Sequence, residues 1–152
     1  MAFRALYEKV QKAHRLPPYE ELDAEFDLDG IPETTCKPLR EVAKRVFERT
    51  DAFRKILEPV LNPETVLDMQ ETQALSDQER QRTTDILTQL MQIDRALLLA
   101  ELENTEDAYA AFARDAIASW KGIKPDLKKL VQAMHATWGK RRDVREMLHY
   151  LG

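Results

Sequence analysis

The sequence is poor in the residues on which many small proteins depend. Its 152 residues include one cysteine, Cys36, so no internal disulfide can form, and a free thiol fits a reducing, cytoplasmic setting. Four glycines, Gly30, Gly122, Gly139 and Gly152, are too scattered for a phosphate-cradling loop. Three histidines, His14, His135 and His149, lie far apart and, beside a lone cysteine, supply no zinc cluster. No stretch approaches the roughly 18 uncharged apolar residues of a membrane span. The opening residues break their apolar side chains with Arg4, Glu8 and Lys9, so no signal peptide is expected. Valine and isoleucine are scarce, 7 and 6 beside 19 Leu and 17 Ala, a balance that disfavours strands and favours helices.

What is present is 43% hydrophobic and 33% charged, enough apolar surface for one soluble domain without disulfide or metal support. Apolar residues recur at spacings of three and four, and no run alternates long enough to make a half-buried strand. An all-α, single-domain helical bundle is expected, with three long amphipathic helices, several short ones and no sheet. Residues 1–33 read as a helical N-terminal arm and acidic loop, and residues 38–152 as the main bundle.

A first helix over about 2–14 stops before Pro17-Pro18, because a proline disfavours helical geometry in the residue before it. Pro18 suits the first turn of a short acidic helix from Tyr19 to Phe26. From Pro38 the stripe Leu39, Val42, Ala43, Val46, Phe47, Phe53, Ile56, Leu57, Val60 and Leu61 marks a long helix with a kink or stop near Pro59. A short helix over 64–74 leads to Ser76-Asp77-Gln78-Glu79, a capping box in which Ser76 and Glu79 satisfy each other's backbone N–H groups. The helix it opens is expected to run to about Glu103, with Ile86, Leu87, Leu90, Met91, Ile93, Leu97 and Leu98 turned inward. Asn104-Thr105-Glu106-Asp107 starts the next helix. Gly122 and Pro125 predict a kink or break there, Gly139 a C-terminal cap, and residues 141–150 a last short helix.

Charge is sorted along the chain. Net charge runs +3 over residues 1–18, −7 over 19–33, +3 over 34–61, −8 over 62–107 and +5 over 108–152, which is how the total comes to −4. Local pairs such as Glu41 with Arg45 and Asp51 with Lys55 fit a solvated, self-neutralising surface. The basic third helix (Arg40, Lys44, Arg45) and the C-terminal run (Trp138, Lys140, Arg141, Arg142, Arg145) are the candidate partner-binding or nucleic-acid-binding residues, since cations neutralise phosphates and rings stack on exposed bases.

Within that run Arg142, the polar Asp143 and His149, seven residues after the arginine, are similar to the motif of the HEPN ribonucleases, which are also small helical bundles. The resemblance covers eight residues. It implies that Arg142 and His149 of two subunits would converge on an RNA phosphate.

Other constellations are incomplete. Glu146 and His149 form one Glu-x-x-His pair, where a di-iron bundle requires two pairs and two further glutamates. Cys36 has no nearby histidine and reads as a loop residue packed at the start of the third helix. Asp94 interrupts an apolar face, so it is a candidate buried charge that must be protonated or paired with an arginine of the third helix such as Arg45 or Arg49. No metal or cofactor is expected. The chain reads as a non-enzymatic interaction module, self-associating through residues outside the main stripes, Leu99, Leu102 and Ile123. The alternative is a nucleic-acid-binding bundle.

Overall fold

The computed structural model describes residues 2–33 and 35–139, and within them the protein is all-α. Its helices are α1 (Ala2–Gln11), α2 (Tyr19–Phe26), α3 (Pro38–Leu61), α4 (Val66–Ala74), α5 (Asp77–Glu103) and α6 (Glu106–Trp138), with a short 3-10 turn at Leu28–Gly30. No strand is found among the described residues. The short helix expected over 141–150 lies outside them.

The ends of α1, α2 and α5 are set by left-handed residues, and with few glycines the chain uses Arg15, Asp27 and Asn104, whose φ values are 54°, 54° and 53°. At the end of α1 the N–H of Leu16 reaches back to the Gln11 carbonyl at 3.0 Å and that of Arg15 to Lys12 at 3.4 Å. This is a Schellman closure, and buried Leu16 anchors it. The N–H groups of Asp27 and Asn104 close α2 and α5 on Asp23 and Ala100, at 2.9 and 2.8 Å. Ser76 and Glu79 make the expected box, Glu79 N–H to Ser76 Oγ at 3.1 Å and Ser76 N–H to Glu79 Oε1 at 2.9 Å. Thr65 and Asp68 form a second one, at the start of α4.

The contacts define two compact units. One comprises Met1–Ala52 and Met91–Trp120, the other Phe53–Leu90 and the residues from Lys121 on, so α3, α5 and α6 each supply a stretch to both.

In the first unit the N-terminal residues belong to the core, with Tyr7, Leu22 and Phe26 buried, as are Leu39, Val42 and Val46 of α3. Tyr7 and Tyr19 meet edge to face at 5.9 Å, and the Tyr7 hydroxyl donates to the Pro17 carbonyl. The buried Trp120 indole N–H donates to Glu25 at 3.1 Å, tying α6 to α2 across 95 residues of sequence.

In the second unit Leu57, Ile86, Leu90, Leu127 and Leu130 are buried. Arg80 closes the end of α4 by donating to the carbonyls of Thr72 and Leu75, at 3.0 and 2.6 Å.

Three expectations change. First, of the kink or break expected at Gly122 and Pro125 the break does not occur, since α6 runs on through both residues. Second, Ile123 is buried at 1% exposure, because the continuous helix places it on one stripe with Leu127 and Leu130. Third, Leu98 of α5 and Ile56 and Leu61 of α3 point outward, 53%, 52% and 43% exposed.

Candidate interaction surface

Over its last three turns α5 carries two unlike faces. Ile93, Leu97 and Ala100 are buried, at the three- and four-residue spacing of an inward stripe. Around the helix from them, Leu98, Leu99 and Leu102 are 53%, 66% and 82% exposed. Leu102 lies four residues after Leu98 and three after Leu99, so all three side chains share one surface. An isolated exposed leucine is ordinary, but three within five residues make a patch. Among the described residues of the second unit the large apolar side chains that are exposed are Ile56, Leu61, Leu67, Met69 and Val131, and no two of these share a helix at a spacing of three or four.

Beside the patch Gln92, Ile93 and Ala96 of α5, with Phe112, Asp115, Ala116 and Ser119 of α6, line an open trough of about 190 Å³. Leu99 follows Ala96, which lines the trough, by three residues. Opposite charges flank the leucines: Arg95 stands four residues before Leu99 and Glu103 directly follows Leu102, both exposed.

The patch stands on a fixed support. The Tyr109 hydroxyl donates to Glu101 Oε2 at 2.9 Å, with Asn104 Oδ1 at 3.2 Å, and Arg40 Nη2 approaches the same carboxylate at 3.5 Å. The Tyr109 hydrogen bond, with Arg40 behind it, holds the Glu101 carboxyl below its ordinary range, and burial pushes the Tyr109 hydroxyl up. The last turn of α5 is thereby tied to α3 and α6.

The candidate cations of α3 are matched to carboxylates. Arg40 meets Glu101, Lys44 meets Glu41 at 3.8 Å, and Arg45 meets Glu48 at 3.7 Å. Glu41 thus pairs with Lys44 rather than with Arg45, whose guanidinium lies against Gly30. The Trp138 indole N–H donates to Glu71 of α4. Lys140, Arg141, Arg142 and Arg145 lie outside the described residues, as do Glu146 and His149.

Asp94 is less buried than its stripe implied, with 18% of its side chain exposed, and the guanidinium that meets it is that of its neighbour Arg95. It sits toward the edge of the inward face, where water relieves the cost that a sealed core would impose. Cys36 is exposed, not packed at the start of α3.

A polar pocket of about 330 Å³ is lined by His14, Arg15, Asp107 and Arg114. Its groups are partly matched within the fold, with Asp107 3.7 Å from His14 and Arg114 donating to the His14 carbonyl. Among the described residues no three His, Cys, Asp or Glu side chains cluster as a metal site, and no helix is long and apolar enough to cross a membrane.

Comparison with family models, with curated proteins and with solved structures returns no match to this chain. The fold defines its class, an all-α helical protein.

Proposed function

We propose that the protein is a non-enzymatic interaction module that self-associates through the leucine face of α5. The observation that carries this reading is the set Leu98, Leu99 and Leu102, exposed on a helix whose other face is anchored by Glu101, Tyr109 and Arg40. Leaving such side chains in water forgoes at most about 1.5–3 kcal/mol for each leucine, with Leu102 nearest that range and the half-exposed Leu98 furthest below it. A pre-formed helix loses little freedom on docking, which leaves more of that gain for affinity. The exposed Cys36 thiol fits a reducing, cytoplasmic setting for such a module.

Sedimentation velocity over a wide concentration range tests the reading. The wild-type sedimentation coefficient rises with concentration, whereas Leu99→Gln with Leu102→Gln stays monomeric and keeps the same thermal midpoint. A wild-type protein that remains a strict monomer throughout overturns the proposal.

A further inference from the structure

We infer that the partner is a second copy of this chain, with the two α5 helices docked antiparallel about a two-fold axis that passes between Leu99 and Leu102. The inference rests on the self-association reading and adds the partner's orientation and register.

It follows from the signs of the charges at the two ends of the patch. Arg95 lies one turn before Leu99, and Glu103 lies immediately after Leu102. A parallel pair would set Arg95 beside the partner's Arg95 and the partner's Glu103 beside Glu103, two like-charge contacts. The antiparallel pair reverses both. Leu99 then packs on the partner's Leu102 and Leu102 on the partner's Leu99, while Arg95 comes within reach of the partner's Glu103 at each end. A two-fold axis makes every contact twice, as an isologous interface requires.

The neighbouring charges leave this arrangement open. Arg95 donates to Asp94 through Nη1, but a guanidinium carries five N–H groups and can serve a second carboxylate. Glu101, on the same stretch, is already engaged by Tyr109 and Arg40. It does not compete with Glu103 for the incoming arginine. Small Ala96, three residues before Leu99, lines the open trough between α5 and α6 beside the patch.

Charge reversal tests the register on the full chain, with the dissociation constant read by sedimentation equilibrium and the fold checked by thermal melting. Arg95→Glu and Glu103→Arg are each expected to weaken the dimer about tenfold, a shift typical of a close interfacial charge pair. The double variant Arg95→Glu with Glu103→Arg returns affinity to near wild type, because the antiparallel pair is restored with its signs exchanged. If the wild type associates, and Leu102→Gln abolishes that association, but the charge variants neither weaken nor rescue it, the antiparallel register is overturned while the leucine face stands. If the wild type does not associate at all, both fall.

Discussion

The Tyr109 hydroxyl donates to the Glu101 carboxylate at 2.9 Å, across the turn that joins α5 to α6. Its phenol is buried while Glu101 is one-third exposed, so the bond reaches from the core to the edge of the proposed docking face. Tyr109→Phe removes the donor and keeps the ring, at an expected cost of about 1–2 kcal/mol in urea unfolding at neutral pH. The folded-state pKa of Glu101 lies below its ordinary value, so this stabilisation is present above roughly pH 4.3 and is lost as pH falls through the depressed value. The gap between wild type and Tyr109→Phe should therefore narrow in melts at about pH 3. An equal gap at both pH values would mean that the carboxylate is not the group the hydroxyl serves.

Trp138 was legible as an aromatic ring beside cations, yet its indole N–H is used by Glu71. Trp138→Phe keeps an aromatic ring and leaves Glu71 without this donor. A loss of about 1 kcal/mol in chemical denaturation is expected.

Gly122 lies inside α6, and a methyl group built there meets nothing within 4 Å. Gly122→Ala removes backbone freedom from the unfolded chain without a clash, and should stabilise the protein by about 0.5–1 kcal/mol. A lowered thermal midpoint would show that α6 is not regular there.

Ser76 accepts from the Glu79 N–H at the start of α5. Ser76→Ala should cost about 1 kcal/mol, and Ser76→Asp, which keeps an acceptor, should recover most of it. Thermal melts of the two variants decide the point.

Where structure is written locally, the sequence was a close guide. The start of α2 and the start of α5 follow from Pro18 and from the Ser76–Glu79 box, signals contained within a few residues. The first helix was expected to reach residue 14, and α1 ends at Gln11 with a Schellman closure through Arg15 and Leu16. That difference concerns how a closing turn is counted. Of the kink or break expected at Gly122 and Pro125, the break is absent for a tertiary reason, since Ile123, Leu127 and Leu130 are buried on one stripe and hold the helix together. Leu99 and Leu102 stood out because they miss the inward stripe. Leu98 was hidden by its position next to Leu97, although one residue turns a helical side chain by about 100°. The pairing of Arg40 with Glu101, 61 residues apart, has no local signature. Cys36 and Asp94 were placed by pattern, and pattern does not report how near a position lies to the edge of a core.

Hydrogen exchange of the wild-type protein at low and high concentration tests the central claim most directly, because it locates the buried surface as well as detecting association. The account predicts that amides in the segment 95–103 exchange more slowly at high concentration, while those of α4, far away in sequence and without the patch, do not change. Exchange in 95–103 that is identical at every concentration would contradict it.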